Sequence, residues 1–72
     1  MNFSQMLCYL METNNVSAYK ISKETGISDR LIGYWRSGER QPIKDNIIKL
    51  ADYFNVSTDY LLGRTDNPEM NQ

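Results

Sequence analysis

The 72-residue sequence predicts an all-α fold, five short helices in one domain. Three observations carry that prediction. Apolar residues recur at spacings of three and four, with no strand-like alternation. Ser17, Ser28 and Ser57 stand where helix N-caps are wanted. Gly26, Gly38 and Gly63 follow apolar-periodic runs at the points where helices stop.

Phe3, Leu7, Leu10 and Met11 trace the first helix, which ends near the turn pair Asn14-Asn15. Ser17 caps a second helix through Ala18, Ile21, Ser22 and Thr25, closed by Gly26. Ser28 caps a third, with Asp29 at the positive end of its dipole, and this helix runs to about Ser37. After the loop "GERQP" a fourth helix spans Asp45 to Phe54, with Ile47, Leu50, Ala51 and Phe54 as one apolar stripe. Ser57 caps a short fifth helix holding Tyr60, Leu61 and Leu62. The expected domain is 1–64, and 65–72 is a polar tail expected to fray.

Composition narrows the class. At 40% hydrophobic and 24% charged residues the chain is globular in character, not disordered. One cysteine and no histidine rule out an internal disulfide and leave zinc without its usual ligands, so no cofactor is expected. The N-terminus has no basic region ahead of its apolar residues and carries Glu12. It reads as a helix and not a signal peptide, and no run reaches membrane-spanning length, so a cytoplasmic location is expected.

A net charge of −1 and a pI near 5.2 run against the basic balance of a nucleic-acid binder. The distribution says otherwise. Residues 16–44 carry Lys20, Lys23, Arg30, Arg36, Arg40 and Lys44 against Glu24, Asp29 and Glu39, a local +3. Residues 45–72 hold a balance of −3. Screening confines exposed charge to about 8–10 Å at moderate salt, so the local balance matters more than the total.

The second and third helices carry the functional signal. Gly26, Ile27 and Ser28 alone separate them, which forces a sharp crossing. Ser22 is the small residue at the approach, and Ile21, Ile27, Ile32 and Trp35 supply the inner face. This is a helix-turn-helix over about 18–37, whose outer face shows Asp29, Arg30, Gly33, Tyr34 and Ser37.

The stretch "VSAYKISKETGISDRLIGYWRSGERQP", followed by "IIKLADYFNVSTDYLLG", resembles the Cro/C1-type helix-turn-helix regulators, the lambda-repressor-like DNA-binding domains. The resemblance spans about Leu7 to Gly63. It implies a compact five-helix domain that lays its third helix in the major groove of double-stranded DNA. Base reading would fall to Asp29, Arg30, Gly33 and Tyr34, and phosphate anchoring to Ser17 and Ala18, Ser28, Ser37, Arg40 and Lys44. Arg30 can grip guanine O6 and N7 with two bonds, while Asp29 can accept from cytosine N4 but repels phosphate. Gly33 costs the helix up to about 1 kcal/mol against alanine and lets the backbone come close to base edges. A homodimer is implied, with contacts from Asn55, Thr58, Tyr60 and Leu61 and half-sites about one helical turn apart.

The chain shows three departures from the family pattern. Ala18 replaces a frequent glutamine, so one phosphate contact is expected to be missing. Arg36 and Met11 replace a frequent glutamate–arginine pair, leaving Arg36 to face either phosphate or Glu12. Leu31 replaces a small polar residue and is expected to stand exposed beside the reading face.

Plainer roles compete at several positions. Trp35 is in phase with Ile32 and belongs to the core, and Cys8 has no basic companion to activate it. Asp29 serves the helix dipole in any case, Tyr34 can be an ordinary surface tyrosine, and Arg40 can be a solvated loop charge. No histidine base and no phosphate-cradling glycine loop suggest an enzyme, and no small-molecule ligand or separate sensing domain is evident within 72 residues. The expected function is a sequence-specific transcriptional regulator, a repressor, on a near-palindromic operator. The alternative is a protein-binding module on the same scaffold, such as an antitoxin or anti-regulator, using Leu31, Tyr34 and the acidic C-terminal third.

Overall fold

Polar side chains satisfy the first amides of most helices in the computed structural model, which describes residues 1–69. Its elements are α1 (Phe3–Thr13), α2 (Ala18–Thr25), α3 (Asp29–Ser37), α4 (Lys44–Phe54) and α5 (Thr58–Leu61). Ser17 accepts from the Lys20 amide at 3.1 Å, Ser28 from Arg30 at 3.2 Å and Ser57 from Tyr60 at 3.0 Å, as expected of N-caps. At α1 the Asn2 side chain accepts from the Gln5 amide at 2.9 Å. The Gln5 side chain in turn accepts from the Asn2 amide at 3.0 Å, completing a capping box. α4 begins at Lys44, one residue before the expected Asp45. Ile43 supplies the extended backbone an N-cap needs (φ −76°, ψ 164°) without a side-chain acceptor, so no polar residue marks that start.

The helix stops repeat one hydrogen-bond pattern. At the ends of α1, α3, α4 and α5 an amide bonds back five residues while its predecessor bonds back three. The pairs are Val16 to Met11 and Asn15 to Glu12, Glu39 to Tyr34 and Gly38 to Trp35, Val56 to Ala51 and Asn55 to Asp52, and Arg64 to Asp59 and Gly63 to Tyr60. This is the Schellman arrangement, which needs a left-handed residue after the last turn. Asn15 (φ 53°) and Asn55 (φ 58°) take that conformation at two of the stops. At Gly63 (φ 79°) a side chain is barred twice over, because a Cβ would also run into the Met1 carbonyl.

The core joins all five helices. Leu7, Ile21, Ile32, Trp35, Leu50 and Leu61 are its largest fully buried side chains. Trp35 meets Phe3 edge-on, ring centres 6.2 Å apart, and its carbonyl accepts from the Ser4 hydroxyl at 2.6 Å, which locks α3 to α1. Tyr53 stands edge-on to Phe54 at 5.1 Å, and its hydroxyl lies beside Glu24, linking α4 to α2.

One expectation is corrected by the packing of α3. Leu31 is half-buried and packs against the core instead of standing exposed. The inner face of α3 is wide enough to take positions 31, 32 and 35 together, adjacent on a helix of 3.6 residues per turn. The described part of the tail is hydrogen-bonded: the Ser57 amide donates to the Pro68 carbonyl at 2.9 Å, and Thr65 and Asn67 side chains cap local turns. Turn formation by Asn and Thr side chains outweighs the segment's polarity. Residues 70–72 of the expected tail lie outside the described residues. Among the described residues no helix is long and apolar enough to cross a membrane.

Candidate nucleic-acid interface

The α2–α3 turn is built by side-chain chemistry as well as by its glycine. Gly26 takes φ 80° and donates to the Ser22 carbonyl at 2.9 Å. Thr25 donates its hydroxyl to the Ile21 carbonyl at 2.7 Å and accepts from the Ile27 amide at 3.2 Å. Thr25 is thus the strut of the turn, a role the sequence reading missed. A Ser or Thr immediately before a C-terminal glycine is the signal that marks it. Ile27, 4% exposed, then drops into the core and fixes the direction in which α3 leaves.

Burial of Ile32 and Trp35 sets the rotation of α3, which packs against α1 and α2. Asp29, Arg30, Gly33 and Ser37 are consequently exposed, and Tyr34 is half-buried at the margin. Positions 29, 30, 33, 34 and 37 follow helical spacing, so the structure brings the predicted reading residues onto one outward face. A Cβ added at Gly33 would meet nothing within 4 Å. The protein itself therefore does not require a glycine there.

The expected phosphate anchors divide. Ser17 and Ser28 use their hydroxyl oxygens as acceptors in capping, and each keeps its hydroxyl hydrogen for an outside partner. Ser37 differs: its hydroxyl donates to the Tyr34 carbonyl at 3.0 Å, which removes the hydrogen a phosphate would accept. Arg40 is exposed in the α3–α4 loop with its guanidinium carbon 4.6 Å from the centre of the Tyr34 ring. Lys44 is exposed at the first position of α4.

Arg36 is exposed and lines a groove of about 460 Å³ together with Met11, Glu12, Ser17, Ala18 and Lys20. Among the described residues neither Arg30, Arg36 nor Arg40 makes an ion pair, so pairing of Arg36 with Glu12 is not formed. The Arg36 carbonyl accepts from the Cys8 thiol at 3.9 Å, a packing contact between α1 and α3.

The residues expected at a dimer contact are not equivalent. Asn55 and Thr58 are exposed and Tyr60 is half-buried, but Leu61 is 0% exposed. Leu61 is a core residue and has no side-chain surface to offer a partner. The apolar phase of α5 turns it inward, against the expectation.

Comparison with known proteins places the fold in a family. A helix-turn-helix family model matches residues 9–61, from within α1 to the end of α5. The Bacillus subtilis (strain 168) protein called uncharacterized HTH-type transcriptional regulator YobD is 28% identical over 67 residues, covering 93% of this chain and 60% of that protein. A Haemophilus influenzae protein, an uncharacterized HTH-type transcriptional regulator, is 32% identical over 60 residues, covering 83% of this chain and 25% of its own length. The crystal structure of a transcriptional regulator from Listeria innocua superposes with a TM-score of 0.81 at 29% identity, covering 92% of this chain and 62% of that one. The chain therefore spans about three fifths of the Bacillus and Listeria proteins and a quarter of the Haemophilus one. The match takes in the turn, the exposed helix and both flanking stops, and the chain belongs to the Cro/C1-type helix-turn-helix family.

Proposed function

We propose that this chain is a sequence-specific double-stranded-DNA-binding transcriptional regulator, a cytoplasmic repressor acting as a homodimer on a near-palindromic operator. The uncovered outward face of α3 carries the reading: Asp29, Arg30 and Gly33 are exposed while Ile32 and Trp35 hold the helix from behind. A helix of about 10–12 Å diameter fits the roughly 12 Å width of the major groove, and nine residues give α3 a length of roughly 13–14 Å to lay there.

In this reading Arg30 grips a guanine, Asp29 accepts from a cytosine and Gly33 lets the helix backbone close on a base edge or thymine methyl. Ser17, Ser28, Arg40 and Lys44 anchor phosphates and set register. Asn55, Thr58 and Tyr60 meet the second copy. Cα extents of 29 × 23 × 23 Å allow two copies to sit side by side on half-sites about 34 Å apart. The protein-partner alternative drew on Leu31, Tyr34 and the acidic C-terminal third, of which Leu31 and Tyr34 were to be exposed. Both are half-buried, which weakens it.

Selection of bound duplex from a random pool at two salt concentrations tests the proposal. The expected product is a near-palindrome with half-sites one turn apart, whose affinity falls linearly with salt on logarithmic axes. Failure to enrich any sequence, with binding indifferent to salt, overturns it.

A further inference from the structure

Tyr34 and Arg40 are six residues apart, a spacing that no regular helix brings together. The reversal at the end of α3 does so: Gly38 donates to the Trp35 carbonyl at 3.3 Å and Glu39 to the Tyr34 carbonyl at 3.0 Å. The chain folds back over the last turn, and the Arg40 guanidinium comes to rest 4.6 Å from the ring centre. Tyr34 is half-buried at the margin of α3. Arg40 is exposed and among the described residues no carboxylate pairs with it.

We infer that Tyr34 is a positioning residue: its ring stacks on the Arg40 guanidinium and holds it ready for a DNA phosphate. The inference rests on the DNA-binding reading proposed above and replaces base contact by the Tyr34 hydroxyl. A carboxylate partner would use up guanidinium N–H groups, whereas an aromatic face leaves all five at the edge of the plane. An arginine already held in place loses less rotamer freedom on binding than a free one. The contact joins the reading helix to the loop behind it, so base recognition and backbone anchoring share one rigid unit.

The test uses the full 72-residue chain and the best duplex from the selection. Tyr34→Phe keeps the ring and is expected to bind as the parent does. Tyr34→Leu is expected to bind roughly two- to tenfold more weakly, the scale of ordering one long side chain on binding, and to melt slightly lower because the free protein loses the ring contact. On an Arg40→Ala background Tyr34→Leu is expected to cost nothing further. Arg40→Lys, which keeps the charge and loses the flat stack, carries the same comparison should Tyr34→Leu fail to fold. In the free protein the Arg40 side-chain protons are expected to shift upfield in the parent and in Tyr34→Phe, and not in Tyr34→Leu.

Additive losses in the double variant, a Phe variant as weak as the Leu variant, or unshifted Arg40 protons would each overturn the inference. A parent chain that shows no salt-dependent duplex binding overturns the proposed function and this role with it. The proton shifts read the contact without DNA, so the two failures are told apart.

Discussion

Gly33→Ala separates what α3 needs in order to fold from what it needs in order to bind. Gly33 is the fifth of nine residues in α3, in an exposed interior turn, without a positive φ. A methyl group there would meet open space. The substitution therefore carries no steric penalty in the free protein and recovers the helix propensity that glycine forfeits, about 1 kcal/mol. For a domain of this size that is a rise in melting temperature of roughly 4–8 °C.

In the proposed complex the same methyl would point at the base edges. Holding the helix off the groove floor would strain or break the Arg30 contact, worth about 1–3 kcal/mol of discrimination, or roughly 5- to 150-fold in affinity for the selected site. Thermal unfolding followed by circular dichroism gives the first quantity, and fluorescence anisotropy on selected and scrambled duplexes gives the second. A more stable variant that binds the selected site no worse refutes the placement of Gly33 at the bases. A less stable variant refutes the claim that the fold does not need the glycine.

Arg30→Ala is expected to relax preference at one base pair with the melting temperature unchanged, measured by repeating the random-pool selection. Arg40→Ala is expected to weaken all duplexes alike and to flatten the logarithmic salt slope by about 0.9, the share of one phosphate, measured by anisotropy at several salt concentrations. Leu61→Ala is expected to destabilise the fold by about 2–5 kcal/mol in a urea titration, while Thr58→Arg leaves stability intact and lowers the dimer fraction in sedimentation. Burial, then the hydrogen bond and charge of Glu24, raise the Tyr53 phenol above its ordinary value of 10.0. The folded state thus holds the proton more tightly than the unfolded one. The resulting stability is complete below pH 10 and lost as pH rises through the folded value, and Tyr53→Phe removes that alkaline loss in pH-dependent melts.

The helices and their order were legible because caps, periodicity and stops agree: Ser17, Ser28 and Ser57 each cap the helix expected of them. The start of α4 was not, because Ile43 does the work of a cap through backbone geometry alone. Leu61 shows a different blind spot. In a helix of four residues one step of phase decides between core and surface, and Thr58–Leu61 is too short for periodicity to fix it. The pairing of Tyr34 with Arg40 was hidden because it crosses a Schellman turn, where neither helical nor strand spacing applies. Ser37 was legible as exposed but not as engaged, since a hydroxyl in the last turn of a helix can bond back to its own backbone.

An acidic chain can still present a basic face because its charges are sorted along the sequence and then by the fold. Lys20, Lys23, Arg30, Arg36, Arg40 and Lys44 lie between the start of α2 and the start of α4, and every one of them is exposed. The acids Asp52, Asp59, Asp66 and Glu69 lie in α4, α5 and the segment beyond them. Cα extents of 23–29 Å exceed twice the roughly 8–10 Å over which exposed charge is felt at moderate salt. The domain is thus wide enough for exposed charge at one end to be screened from the other. Three acids, Glu24, Asp29 and Glu39, lie exposed within the stretch from α2 to α4, and Asp29 stands in the first turn of α3 beside Arg30. It favours the helix through the dipole, and against DNA it penalises any register that brings a phosphate to that point. In the proposed complex a carboxylate there would lower affinity for every site and lower it least where a base donor faces it, trading strength for specificity.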